Sequence, residues 1–241
     1  MNIIIPMAGA GSRFKDAGYT FPKPLIEVHG GRPMIQLVLE NLNMPYAHYI
    51  FLVQEEHEKQ YNISSMLRQL LPVPPKIVVV DEVTEGAACT TLLAAPFLRR
   101  NESLVIANSD QFVEWGGLEQ FITSMEQQNV DGGILTFKSV HPKWSYSKLN
   151  DEGNVCQVAE KNPISENATV GIYYWKVAEN YVRYAQDMIA KNIRTRGEFY
   201  VCPVFNEAIE AGDIIRTHEV LKMWGLGTPE DLETFQRKYY G

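Results

Sequence analysis

Asn2-Ile3-Ile4-Ile5-Pro6-Met7-Ala8-Gly9-Ala10-Gly11-Ser12-Arg13-Phe14 decides the reading of this chain. An isoleucine run that ends abruptly in a glycine-rich turn is the pattern of a strand buried on both faces of a parallel sheet. The next apolar segment, over 33–42, places Met34, Ile35, Leu37, Val38, Leu39 and Leu42 at helical spacing, and Pro33 suits the first turn. Strand, glycine loop and helix thus follow one another from the first residues.

The alternation continues outward. Strands are predicted over 49–53, 76–80, 103–107 and 132–137, with helices over 58–71, 87–97 and 118–128 between them. This βα order predicts an α/β fold, Rossmann-like, with a mixed and mostly parallel sheet covered by helices on both faces. Beyond Lys138 the pattern changes to short strands over 147–149, 155–160 and 168–175, separated by Asn, Asp, Gly and Pro turns, which reads as an antiparallel extension. Helices over 177–191, 204–211 and 229–239 complete the chain. One domain over 1–241 is expected, with 1–137 binding a nucleotide and 138–241 supplying an acceptor site and closing elements.

Composition narrows the function. The formal charge of −7 opposes a broad electrostatic grip on nucleic acid, which needs clustered cations to neutralise phosphates. No stretch approaches the roughly 18 consecutive apolar residues of a membrane span, and the first residues lack a signal-peptide pattern, so no membrane partner and a cytoplasmic location are expected. Cys89, Cys156 and Cys202 show no CxxC pairing and are expected to be small core residues.

The loop itself carries chemistry. Gly9, Ala10, Gly11 and Ser12 let backbone N–H groups approach an anion without Cβ interference, although the loop has neither a Walker A ending nor a third glycine. Arg13 adds a bidentate guanidinium, and Lys23 in Phe21-Pro22-Lys23-Pro24-Leu25 adds an ammonium on a stiffened backbone. Taken alone, a glycine turn or a loop lysine is commonplace. Together they suit a triphosphate.

This arrangement resembles the sugar-phosphate nucleotidyltransferase family, whose N-terminal signature joins a GxGxR loop to a PKP segment. The resemblance implies that Ala8, Gly9, Ala10, Gly11, Ser12, Arg13 and Lys23 hold the triphosphate, with Arg13 and Lys23 stabilising charge during transfer. It extends to Glu85-Gly86-Ala87-Ala88, where the family binds its base, and to Asn108-Ser109-Asp110, where Asn108 falls to the nucleotide and Asp110 to a Mg²⁺ or Mn²⁺ ion. Glu160-Lys161-Asn162-Pro163 and Val170-Gly171-Ile172-Tyr173 match acceptor-binding segments, which assigns Glu160, Lys161 and Gly171 to the acceptor. Gly227-Thr228-Pro229 matches the closing turn. A homo-oligomer and a role in capsule or cell-surface polysaccharide synthesis are compatible with the family.

Two departures matter. Many members carry a second metal-binding aspartate where this chain has Gly225, so either another residue such as Glu198 or Glu219 supplies the ligand or the metal relies on Asp110, phosphate and water. Asp81 and Glu82 lie just before Glu85-Gly86, and a carboxylate there could accept from an exocyclic amine such as cytosine N4; the resemblance gives Asp81 and Glu85 to the nucleotide, and the similarly compact build of cytidylyltransferases favours CTP. The expected partners are therefore an NTP, CTP favoured, and a small phosphorylated acceptor. Trp144, Tyr146, Tyr173, Tyr174 and Trp175 are candidates to line the acceptor pocket. Rival readings are a nucleotide-sugar glycosyltransferase, which would want the first aspartate of a DxD motif where Asn108 stands, and a nucleotide sensor that binds without turnover.

Overall fold

A computed structural model describes all 241 residues. In chain order the strands are β1 (Asn2–Pro6), β2 (Glu27–His29), β3 (Arg32–Pro33), β4 (His48–Gln54), β5 (Lys76–Val80), β6 (Leu104–Ala107), β7 (Gln111–Glu114), β8 (Gly132–Lys138), β9 (Ser145–Leu149), β10 (Val155–Glu160), β11 (Asn167–Trp175), β12 (Ile215–Glu219) and β13 (Lys222–Gly225). The helices are α1 (Ser12–Asp16), α2 (Met34–Leu42), α3 (Glu55–Tyr61), α4 (Ile63–Leu70), α5 (Ala87–Leu92), α6 (Leu118–Gln127), α7 (Ala178–Ala190), α8 (Val204–Glu210) and α9 (Pro229–Phe235). No helix is long and apolar enough to cross a membrane.

Nine strands form one mixed, mostly parallel sheet in the order β10-β9-β11-β6-β1-β4-β5, with β8 and then β12 branching from β11. Only β10 and β11 run against the others. The isoleucine run explains the layers. Side chains alternate across a strand, so Ile3 and Ile5 enter a core with α2, α4 and α6, through Val38, Leu67 and Phe121. Ile4 enters the opposite core with α5, α7 and α8, through Ala88, Tyr181 and Phe205. All three isoleucines are fully buried, which requires helices on both faces. A smaller core of Phe14, Ile26, Met34, Trp224, Leu226 and Phe235 ties the first glycine loop to β13 and α9.

Several expectations need correction. The helix expected over 58–71 is two helices, broken at Asn62, whose φ of 48° is left-handed, a conformation asparagine tolerates better than most residues. The helix expected over 87–97 stops at Leu92, and a separate 3₁₀ turn follows over Ala95–Phe97. The last helix ends at Phe235 and widens into a π turn over Gln236–Tyr240. The antiparallel extension is real for β9 and β10, but β11 lies inside the sheet, hydrogen-bonded to β6. β7, β12, β13 and the β2–β3 hairpin were not anticipated; each is short, and β7 pairs with β13 far along the chain. Cys202 is buried as expected, whereas Cys156 is exposed.

Candidate active site

A cleft of about 530 Å³ opens at the carboxyl ends of β1 and β6, where ligands bind in open α/β sheets. Its volume suits a drug-sized ligand. One end is formed by the loop after β1. None of the six backbone amides from Ala8 to Arg13 donates to any acceptor in the protein. Ala8 is buried and Gly11 half-buried while Gly9, Ala10, Ser12 and Arg13 are exposed, so this cradle of free donors faces the open cleft, where solvent or an anion can answer them. Phe14, 1% exposed, anchors the loop in the small core, and Arg13 lines the cleft beside it.

Lys23 reaches the same place from a 3₁₀ turn over Lys23–Leu25, entered from extended Pro22 and stiffened by Pro24. Its Nζ donates to Asp110 Oδ2 at 2.8 Å, with the two side chains 23% and 22% exposed. Asp110 follows β6, as expected for a strand-end carboxylate. Its backbone carbonyl accepts from the Leu226 N–H at 2.8 Å, which fastens the closing turn to it.

The segment expected to bind the base also borders the cleft, but through other atoms. Val83, Thr84, Gly86, Ala87 and Thr90 line it, whereas Asp81 and Glu85 do not. Asp81 lies on the outer surface and its carboxylate caps the Glu82 N–H. Glu85 turns outward to pair with Arg194. The assignment of these two side chains to the nucleotide is therefore corrected, because a neighbouring segment takes their place. Phe199 donates its N–H to the Glu85 carbonyl at 2.9 Å, and its own carbonyl accepts from Ala88 at 3.0 Å. Gly86, at φ 133°, admits this crossing; a Cβ there would sit 2.5 Å from the Phe199 nitrogen.

The other end of the cleft is built from side chains, half-buried at Ser145, Glu160, Lys161 and Tyr200 and buried at Thr169, Tyr173 and Cys202. Glu160, at the end of β10, accepts from the Ser145 hydroxyl of β9. Burial raises its carboxyl above the usual range, offset in part by that hydrogen bond and by Lys161 and Arg196. Lys161 holds a left-handed φ of 54°, unusual for lysine and a form of strain that clusters at functional sites. Its ammonium donates to the Tyr200 hydroxyl and lies 4.2 Å from the ring centroid. The Tyr173 hydroxyl bonds Thr169 at 3.0 Å, and burial pushes both this phenol and the Cys202 thiol up.

Gly171 joins the two ends. It has φ 91° in an irregular stretch of β11, and its carbonyl accepts from the Asn108 N–H at 2.9 Å. A Cβ there would strike the Asn108 carboxamide, with Cγ at 2.8 Å.

The cleft thus gathers Ala8 to Arg13, Lys23, Gly86, Asn108, Asp110, Glu160, Lys161 and Gly171 from the sequence expectations. Of the aromatic candidates, Trp144 and Tyr173 line it, while Tyr146, Tyr174 and Trp175 are buried in the core. Glu198 also lines it; Glu219 does not, and lies 3.4 Å from Lys138 on an edge strand. Lys143, Tyr200 and Cys202 were missed, since no motif marks them and only the fold brings them here. The donor set suits a hard cation such as Mg²⁺ or Mn²⁺: one strand-end carboxylate stands beside an anion cradle, and no three His, Cys, Asp or Glu side chains converge to hold a metal unaided.

Comparison with known proteins agrees with this layout. The family model for nucleotidyl transferase matches residues 2–239. A solved structure named as the nucleoside-diphosphate-sugar pyrophosphorylase of Vibrio cholerae RC9 superposes with a TM-score of 0.84 at 28% identity, covering 98% of this chain and 100% of that one. A Bacillus anthracis protein assigned as a glucose-1-phosphate thymidylyltransferase, solved with a sucrose, gives 0.79 at 21% identity over 98% and 94%. The bifunctional protein GlmU of Paraburkholderia xenovorans is 24% identical over 246 residues, which are 98% of this chain and 51% of that protein. This chain therefore spans about half the length of that relative. With the fold, the cradle and a match over nearly every residue in agreement, the chain belongs to the nucleotidyl transferase family.

Proposed function

We propose that the cleft transfers a nucleotidyl group from a pyrimidine nucleoside triphosphate to a small phosphorylated acceptor and releases pyrophosphate. The observation that carries this reading is the cradle of six unpaired amides at Ala8 to Arg13 flanked by two cations, Arg13 and Lys23. Such donors match the density of negative charge on a triphosphate.

An acceptor phosphate oxygen attacks the α-phosphorus in line. The new P–O bond forms as the α–β bridge breaks, and its electrons leave on pyrophosphate. The nucleophile is already anionic, so no general base is needed, and positioning with charge neutralisation supplies the catalysis. Arg13 and Lys23 hold the triphosphate and the departing pyrophosphate. Lys161 aligns the acceptor phosphate, and Glu160 with Ser145 accepts from or donates to its polar groups. Asp110 would hold Mg²⁺, which supplies further neutralisation of phosphate charge when bound.

For the base, CTP keeps the support of the compact build, and dTTP gains support from the name of the Bacillus anthracis neighbour. The carboxylate argument for cytosine falls away with the outward placement of Asp81 and Glu85. A sugar 1-phosphate is the leading acceptor, on the strength of the relatives' names.

The test is pyrophosphate release with Mg²⁺ and each of CTP, UTP, dTTP, GTP and ATP, against sugar phosphates, phosphocholine and phosphorylated amino-acid derivatives. Acceptor-dependent release with a pyrimidine triphosphate is expected. Triphosphate binding without release for every acceptor would instead favour a sensor.

A further inference from the structure

The chain entering β9 carries Lys143, Trp144 and Ser145, and each holds a different part of the cleft. The Lys143 ammonium donates to both carboxylate oxygens of Asp231, at 2.9 and 3.0 Å, with the two side chains 38% and 28% exposed. Asp231 stands in the first turn of α9, just past the closing turn, where its N–H donates to the Thr228 hydroxyl at 3.1 Å. Trp144 reaches the strand before that turn: a Cβ on Gly225 would stand 2.8 Å from Trp144 Cη2, nearer than carbon atoms approach. Phe137 holds the indole edge-on, with ring centroids 5.4 Å apart. One ionic and one steric contact thus seat the closing turn on the chain entering β9. β13 and β7 form a sheet of their own, so side chains make this seat and a shared ladder does not.

The closing turn is in its turn fixed to Asp110. The Leu226 N–H donates to the Asp110 carbonyl at 2.8 Å, and a Cβ on Gly227 would come within 2.9 Å of Asp110 Oδ2. The chain entering β9 is fixed to the other end of the cleft. The Trp144 carbonyl accepts from the Lys161 N–H at 3.0 Å, and the Ser145 hydroxyl donates to Glu160. Contacts therefore run unbroken from Asp110, through the turn over 226–231 and Lys143, to Glu160 and Lys161. An ion pair this exposed adds little to stability. In-line transfer is more sensitive to it, because a displacement of about 1 Å between reacting groups costs about 10²-fold in rate.

We propose that Lys143 and Asp231 are a positioning pair for the transfer reaction. By locking the acceptor residues to the turn that rests on Asp110, the pair sets how an acceptor phosphate held by Lys161 meets the α-phosphorus, and neither side chain touches a reacting atom. This inference rests on the nucleotidyl-transfer reading.

The experiment is steady-state kinetics of the intact protein in the pyrophosphate assay, with CTP, UTP and dTTP against sugar phosphates, phosphocholine and phosphorylated amino-acid derivatives, beside equilibrium titrations of each triphosphate. Lys143→Met and Asp231→Asn should each lower kcat by about 10- to 100-fold and raise the acceptor KM, while triphosphate affinity stays within about twofold of wild type. Asp231→Asn keeps the backbone N–H that Thr228 accepts, so the start of α9 is spared. The variant carrying both substitutions should be no slower than either alone, as for two residues acting as one unit, and Lys143→Arg should keep most of the wild-type rate. Exchanging the charges, Lys143→Asp with Asp231→Lys, should recover about tenfold or more of what either change loses alone.

The inference is overturned if neither neutral substitution slows turnover, if Lys143→Met slows it and Asp231→Asn does not, if the two losses multiply in the double variant, or if triphosphate affinity falls in step with kcat. The neutral variants decide the matter even if the exchanged pair fails to fold. Pyrophosphate release with no acceptor in the panel, in protein that binds a triphosphate, would overturn the nucleotidyl-transfer reading itself.

Discussion

The two ends of the cleft are made differently. The end proposed for the triphosphate is mostly backbone: six free amides on one local loop, with two cations supplied within the first 23 residues. The end proposed for the acceptor is mostly side chains, from residues 144–145, 160–161, 169–173 and 198–202, with a half-buried glutamate and a buried phenol and thiol among them. Backbone donors recognise phosphate in any nucleotide, whereas buried side chains can be exchanged to suit a different acceptor. On the proposed reading, phosphate recognition and acceptor selection therefore fall to separate parts of one cleft.

The largest effect should come from the cations that define the two ends. Lys23→Ala should lower turnover by about 10²- to 10³-fold in the pyrophosphate assay, as for loss of one transition-state donor. Lys161→Ala should instead raise the acceptor KM and leave the nucleotide KM near its starting value. If Lys161→Ala altered the nucleotide KM and spared the acceptor's, the division of the cleft would be wrong.

Glycines separate the ends next. Gly171→Ala combines a positive φ with collision against Asn108, and should destabilise the protein by about 2–4 kcal/mol, lowering Tm by roughly 5–15 °C. Gly9→Ala meets nothing within 4 Å and should cost under about 0.5 kcal/mol, so any loss of nucleotide affinity there would report the ligand's approach to the loop. Thermal melts beside nucleotide titrations distinguish the two.

Glu160 makes the contrast pH-dependent. Its carboxyl is raised by burial, so the folded state holds this proton more tightly than the unfolded chain does. Its contribution to stability is then greatest at acid pH and falls as pH rises from the ordinary carboxylate value through the raised one. Glu160→Gln should flatten that part of the stability curve and raise Tm at neutral pH, while weakening acceptor binding. A melt in which the substitution lowered Tm equally at every pH would show that the hydrogen bond from Ser145, and not desolvation, governs this carboxyl.

Legibility in the sequence follows the same line. Ile3, Ile4 and Ile5 announce their two-sided burial because strand period and apolar content lie in adjacent residues, and the cradle is a contiguous string. Asp110 stood out only through the family resemblance of Asn108-Ser109-Asp110, since a lone strand-end aspartate is more often a turn or a cap. The acceptor end was only half readable, since Glu160, Lys161 and Gly171 stand in motifs but Lys143, Tyr200 and Cys202 reach the cleft through tertiary packing alone. β7 and β13 escaped because four-residue strands carry little periodic signal and each needs a distant partner. The Trp144–Gly225 contact illustrates the limit: the missing aspartate is visible in the sequence, and the indole that fills its space is not.

The smallest expected effect bears on the point where sequence reasoning failed. Asp81 and Glu82 just precede, and Glu85 opens, the segment expected to read the base, yet none of these carboxylates lines the cleft, and Phe199 crosses over Gly86 there. Glu85 is 68% exposed and its partner Arg194 is 30% exposed, a surface pair worth about 1 kcal/mol or less after solvent screening. Glu85→Gln, alone or with Asp81→Asn, should therefore leave the ratio of kcat/KM values among CTP, UTP and dTTP unchanged and shift Tm only slightly. A carboxylate that reads an exocyclic amine would behave otherwise, because removing its charge leaves a donor on the base poorly matched and lowers CTP use selectively. A selective loss of that kind would return Glu85 to the cleft, and would mean that the segment around Phe199 moves aside when the nucleotide enters.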